Sequence, residues 1–136
     1  MKIHWLYPLL QVFDMPTSLR FYRDVLGFGV VQKSGDGDDV DWVWLRHDTC
    51  DLMLNTAYER EERPAAPDPS RVAAHSDTLL YLGCEHLEEV YLRLRAHGVK
   101  VSPPTIAPYG MKEVHATDPD GYELCFHWRE TPKSNS

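Results

Sequence analysis

Near the end of the sequence, the stretch "KEVHATDPDGYELCFHW" brings two imidazoles, a thiol and the carboxylates of two glutamates into one short segment: Glu113, His115, Glu123, Cys125 and His127. These side chains can act in three ways. They can donate nitrogen, sulfur or oxygen to a metal ion, shuttle protons as a carboxylate–imidazole pair, or pair a thiol with an imidazole as a weak nucleophile. Whether they meet depends on the turn between them. In "DPDG", Pro119 favours φ near −65° and Gly121 sits where φ must be positive, which suits a type I turn closed by a glycine bulge. That turn pairs Asp118 with Tyr122. Thr117 then lies opposite Glu123, His115 opposite Cys125, and Glu113 opposite His127, all on one side of the ribbon. Val114, Ala116, Leu124 and Phe126 take the other side, the natural choice for packing under a helix.

Three readings of the polar side stand at this point. It can be a solvated sheet surface. It can hold a metal, since Glu113, His115 and His127 lie within cross-strand and diagonal reach of about 8 Å, although their spacing matches no strong zinc or iron motif. Or it can line a small-molecule pocket, provided the fold is concave there.

The elements that must position these residues recur along the chain. "WLYPLLQV" (5–12) alternates as a strand, with Tyr7, Leu9 and Gln11 on one face and Leu6, Leu10 and Val12 on the other. In "DMPTSLRFYRDVLGF", Asp14 can cap a helix, Pro16 suits its first turn, and Gly27 sits where a left-handed helix end is wanted. Leu19, Tyr22, Val25 and Leu26 form its apolar stripe. "FGVVQKS", "VDWVWLRHD" and "CDLMLNT" read as strands, the first two split by the "GDGDD" turn. The order then repeats. "TLLYLG" is a strand, "EHLEEVYLRLRAHGV" a helix with Leu87, Val90, Tyr91 and Leu94 on its stripe, and "KVSPPTIA", "MKEVHAT" and "YELCFHW" are strands. Asp14 precedes Gly27 by the same interval as Glu85 precedes Gly98, so a βαβββ unit occurs twice at a period of roughly 70 residues. The modules run over about 3–56 and 78–129. Between them, 57–77 is charged, rich in Pro and Ala, and without periodicity, which reads as a long flexible connection or a mobile lid. Residues 130–136 read as a disordered tail.

Bulk properties narrow the function. A chain of 136 residues is one domain by size. The formal charge of −7 offers no basic face for nucleic acid and would tolerate a cationic small molecule. Three cysteines without CxxC spacing argue against a disulfide framework or a zinc ribbon. The apolar run Trp5–Leu10, broken by Pro8, is too short for a signal peptide or a membrane span, so a cytoplasmic location is expected.

With these residues laid out, "PLLQVFDMPTSLRFYRDVLGF" (8–28) and "YGMKEVHATDPDGYELCFH" (109–127) resemble two recurrent signatures of the vicinal oxygen chelate superfamily, the glyoxalase, bleomycin-resistance and extradiol-dioxygenase group. The resemblance runs from about residue 3 to 129. It implies an α+β fold of two tandem βαβββ modules curling into a half-open barrel with helices outside, and a ligand trough usually completed in a homodimer. In metal-dependent members such as glyoxalase I, four trough-facing positions supply His, Gln or Glu ligands. Carried over, these positions fall on Tyr7, on Leu52 to Leu54 (about Met53), near Leu79, and on Cys125. Leucine cannot ligate a metal, and a hard cation wants oxygen and nitrogen donors, so the shared metal site is not expected and no cofactor is predicted.

What remains is similar to the metal-free bleomycin-resistance branch, whose members sequester a drug. On that reading Tyr7, Gln11, Trp42, Trp44, Tyr81, Glu113, His115, Glu123, Cys125 and His127 line the ligand site. Aromatic rings offer area and stacking, and Glu113 and Glu123 offer charge for a basic ligand. The tryptophan pair reads equally as core packing. The alternative is a glyoxalase-like lyase or isomerase, or a dioxygenase-type enzyme, with a rearranged site in which His127, Glu113 and His115 are the catalytic candidates. A purely structural or partner-binding domain has only the charged connection and the tail in its favour.

Overall fold

A computed structural model describes residues 1–130, so the tail expected over 130–136 lies outside the described residues from position 131. The chain forms two compact units, one over 1–68 and one starting at Pro69. Each is built around a four-stranded mixed sheet. In the first, strands β1 (Leu9–Val12), β2 (Gly29–Lys33), β3 (Trp42–His47) and β4 (Cys50–Thr56) lie in the order β1-β4-β3-β2. In the second, β5 (Leu79–Gly83), β6 (Thr105–Ile106), β7 (Met111–Thr117) and β8 (Glu123–Arg129) lie in the order β5-β8-β7-β6. The first strand of each unit pairs in parallel with its last strand, and the remaining pairs are antiparallel. The duplicated βαβββ pattern and the α+β class are thus present in the structure.

Alternation sets each core. Leu10, Val12, Val43, Leu45, Leu52 and Leu54 are buried on one face of the first sheet, with helix α1 (Met15–Leu19) against β4. Asp14 caps that helix, its carboxylate accepting from the Thr17 backbone N–H at 3.1 Å. The helix continues from Arg20 to Val25 as a π-helix, in which the Leu26 N–H reaches back five residues to the Phe21 carbonyl at 3.0 Å. The wider turn explains a departure from the sequence stripe: Phe21 is buried beside Tyr22, while Leu26 is only partly covered. In the second unit, helix α3 (Leu87–Ala96) packs on β7 and β8, burying Leu87 and Leu94 over Val114, Ala116, Leu124 and Phe126.

Three sequence expectations change. The first strand begins at Leu9, not Trp5, because Pro8 has no N–H for a ladder; only its carbonyl takes part, accepting from Met53 N–H at 2.9 Å. Leu6 is accordingly exposed. The second helix begins at Leu87, after a His86 in the left-handed region (φ 57°), so Glu85 is not the counterpart of Asp14. "KVSPPTIA" contributes only the two-residue strand β6 and an isolated bridge from Val101 to Ala116; Pro103 and Pro104 remove the donors a longer strand needs.

The stretch 57–77 also carries structure. It contains a 3₁₀ turn at Arg60–Glu62, helix α2 (Pro69–Ala74) and a second 3₁₀ turn at His75–Asp77. Arg60 bonds Asp39 at 2.9 Å and Arg63 reaches Asp14 at 3.5 Å within the first unit, whereas α2 belongs to the second. Among the described residues no helix is long and apolar enough to cross a membrane, and all three cysteines are free.

Candidate functional site

The turn between β7 and β8 is tied down from both sides. The Asp118 carboxylate accepts from the Asp120 and Tyr122 backbone N–H groups at 2.8 and 2.9 Å, and Asp118 N–H bonds the Tyr122 carbonyl at 2.9 Å. From beyond α2, the His75 ring stacks on Tyr122 with centroids 4.1 Å apart, its Nδ1 lying 2.7 Å from the Asp120 carbonyl. The register follows as the turn chemistry requires: Thr117 opposite Glu123, His115 opposite Cys125, Glu113 opposite His127.

On that ribbon the polar side is not uniformly solvated. Cys125 and Glu113 are buried, His115 is exposed, and His127 and Glu123 are intermediate. Glu113 collects three neighbours. Tyr109 donates its hydroxyl to Oε2 at 2.7 Å, Cys125 lies with Sγ 3.4 Å from Oε2, and His115 Nε2 lies 3.7 Å from Oε1. Cys125 Sγ is in turn 3.9 Å from His115 Nε2. The Tyr109 hydrogen bond, helped by Cys125 and His115 and opposed by desolvation, holds the Glu113 carboxyl below its ordinary range. The same contact pushes Tyr109 up to about 12, while burial and then Glu113 push the Cys125 thiol up to about 12. At neutral pH this is a buried carboxylate facing a protonated thiol, so by itself it lacks the thiolate a cysteine nucleophile needs.

The carboxylate–imidazole contact is therefore Glu113 with His115 on the same strand. His127, although opposite Glu113 in register, makes its ring contact with Tyr81, edge to face at 5.1 Å. Glu123 is held apart by the Thr117 hydroxyl at 3.3 Å from both of its oxygens.

In the first unit, Trp42 and Trp44 share a face of β3 and are partly exposed, beside Asn55 and Met53 respectively. Asn55 donates to Gln11 Oε1 at 3.5 Å. The Trp44 indole N–H donates to Asp51 at 2.7 Å, and Asp51 also takes both Arg46 donors at 2.9 and 3.0 Å. Arg46 lies 5.3 Å from the Trp44 ring centre. Tyr7, outside the strand, lies 5.6 Å from Trp44 and 6.2 Å from Trp5, so three rings run in series.

Sequence reading did not single out Trp5, Arg46 or Tyr109. The Arg46–Asp51 pair was recoverable from the tight turn after His47, which sets them opposite each other. Tyr109 reaches Glu113 across a Gly110 turn, and no periodicity signals that contact.

The model of the glyoxalase/bleomycin resistance protein/dioxygenase superfamily matches residues 2–126. The chain belongs to this superfamily. No curated protein matches it. Among solved structures it is similar to the glyoxalase family protein from Enterococcus faecalis, at 24% identity and TM-score 0.64 over 93% of this chain and 97% of that one. It is also similar to TnmS3, an antibiotic binding protein from Streptomyces sp. CB03234, at 20% identity and TM-score 0.68 over 96% and 99%. TioX from Micromonospora sp. ML1 matches at 15% identity and TM-score 0.72 over 91% and 97%. At these identities the likeness establishes the fold.

The superfamily's metal-dependent pattern does not fit the donors here. The positions that the resemblance assigns to ligands hold Tyr7, about Met53, Leu79 and Cys125, none of them the His, Gln or Glu that the metal-dependent members use there.

Proposed function

We propose that this superfamily member binds and sequesters a small, flat, cationic organic molecule, working as a homodimer, without the superfamily's own chelating set. One observation carries the reading. Trp5, Tyr7 and Trp44 form a run of rings with Trp5 69% exposed, and Trp44 is fixed by Asp51, so stacking area is held ready with little left to order on binding. Trp42 and Gln11 add to the same sheet; Tyr81, His127 and Glu123 are the corresponding candidates in the second unit. The overall negative charge favours a cation. The antibiotic-binding TnmS3 shows that this fold is used to hold a drug, and antibiotic resistance by sequestration is the physiological role this reading implies.

A thermal-shift screen of chelator-treated protein against planar and glycopeptide-type cationic drugs tests it, because a ligand of the folded state raises the melting temperature. The expected hit also quenches tryptophan fluorescence, and Trp44→Ala weakens it roughly tenfold, the loss of one stacking contact. A hit that Trp44→Ala binds unchanged would remove the aromatic run from the site. Light scattering is expected to give twice the chain mass.

A further inference from the structure

The cluster of Glu113, His115 and Cys125 has a use that small-molecule binding does not call on. One donor atom from each residue lies within 4.8 Å of the others. Pair by pair, the closest separations are 3.4 Å from Cys125 Sγ to Glu113 Oε2, 3.7 Å from His115 Nε2 to the other carboxylate oxygen, Oε1, and 3.9 Å from Sγ to Nε2. Zinc bonds of ~2.3 Å to sulfur and ~2.0–2.2 Å to nitrogen and oxygen, at tetrahedral angles, set donor atoms about 3.3–3.6 Å apart. Taken pair by pair these approaches are within a few tenths of an ångström of that frame; with a single carboxylate oxygen as the donor the three atoms spread over up to 4.8 Å, a gap that a side-chain turn must close on binding. His115 Nε2 faces both partners but lies beyond normal N–H···O hydrogen-bond length from the carboxylate.

We propose that Glu113, His115 and Cys125 bind a zinc ion, with solvent at the fourth position. Binding transfers the thiol proton to solvent and leaves a thiolate–zinc bond. The donors suit the metal: one sulfur, one nitrogen and one oxygen match borderline-soft zinc better than magnesium or calcium. Cys125 and Glu113 are buried on adjacent strands, which fixes two donors, while exposed His115 is free to turn its ring toward them and close the remaining distance. Tyr109 holds the carboxylate from outside the cluster, the kind of contact that orients a ligand. This site differs from the superfamily positions, sharing only Cys125 with them, and its donors all come from β7 and β8. It stands independently of the proposed ligand.

Zinc alone is titrated into the full chain after chelation, first in a Cys50→Ser/Cys84→Ser background that removes the two more accessible thiols. Cobalt substitution provides the spectroscopic readout. The expected result is one zinc per chain, and a thiolate-to-cobalt charge-transfer absorption that disappears in Cys125→Ser. His115→Ala, at an exposed position, should weaken zinc by roughly a hundredfold, and Tyr109→Phe by roughly tenfold. Circular dichroism checks that each variant is folded; if Cys125→Ser is not, His115→Ala decides. Lack of the charge-transfer absorption in the background protein, its survival in Cys125→Ser, or unchanged zinc affinity in His115→Ala overturns the assignment. Neither result depends on the drug screen, which uses chelated protein.

Discussion

The two units repeat one topology and answer a carboxylate in opposite ways. Leu10 beside Leu54 in the first sheet recurs as Leu80 beside Leu124 in the second, so the backbones correspond strand for strand. In the first unit Asp51 is met by Arg46, a permanent cation, in two hydrogen bonds. In the second, Glu113 is met by a hydroxyl, a thiol and an imidazole. The first arrangement cancels its charge and orients a tryptophan. The second keeps a buried carboxylate without an arginine or lysine beside it, and groups so placed mark sites more often than scaffolding. A duplicated fold can thus hold its backbone fixed while the two copies surround a carboxylate with different partners.

The strongest way to break this comparison is at the turns that hold each unit's geometry. Gly121 has φ +90°, and a Cβ there would meet the Val72 carbonyl oxygen at 2.4 Å. Gly27 has φ +88°, but a Cβ there meets only the movable His47 ring at 3.6 Å. Gly121→Ala must push α2 off the turn as well as adopt a strained backbone, and is expected to lose about 3 kcal/mol or more. Gly27→Ala should lose about 1–2 kcal/mol, from backbone strain alone. Denaturant unfolding of both variants measures the difference. Equal losses would mean that α2 does not hold the turn.

A smaller effect separates the two helix starts. Asp14→Ala removes a working cap and should cost about 1 kcal/mol. His86 sits in the left-handed region with no side-chain cap bond, so His86→Gly should stabilise by roughly 0.5–1 kcal/mol. The same experiment at corresponding helix ends therefore gives opposite signs, and a loss at His86 would show that its side chain holds the helix after all.

Legibility in the sequence followed the range of the interactions. The register of β7 and β8 was readable because Pro119, Asp120 and Gly121 restrict one turn, and everything on the ribbon then follows by alternation. The cores were readable for the same reason. The burial of Glu113 and Cys125 was not, since alternation says which side a residue faces and nothing about what covers it. Helix α2 lacks an apolar stripe of its own; its place depends on Val72 and His75 meeting a turn some fifty residues on (order of magnitude), a contact no local pattern encodes. The π-helix escaped because one inserted residue shifts the stripe without altering composition. The Glu113–His115–Cys125 cluster needed side-chain geometry, which alternation does not supply.

The smallest expected effect concerns how the two carboxylates respond to acid. Hydrogen bonding from Arg46, with Trp44 adding to it against desolvation, holds the Asp51 carboxyl below its ordinary range. A carboxyl whose folded-state value is depressed contributes stability above its unfolded value, and that contribution fades as pH falls through the folded one. Asp51→Asn should therefore unfold at a lower temperature than the parent near neutral pH, and the gap should close as pH falls from about 5 toward about 2. Glu113 is depressed too, with Tyr109 as the leading cause, so Glu113→Gln should trace a gap of the same sign. The two differ in their response to salt. Asp51 faces a charge, and part of its gap should shrink as ionic strength rises. Glu113 is held chiefly by a neutral hydroxyl, so its gap should hardly move. Melting curves of parent and both variants, across pH at low and high salt, distinguish the cases; a Glu113 gap as salt-sensitive as that of Asp51 would mean that charged His115, rather than Tyr109, holds the carboxylate.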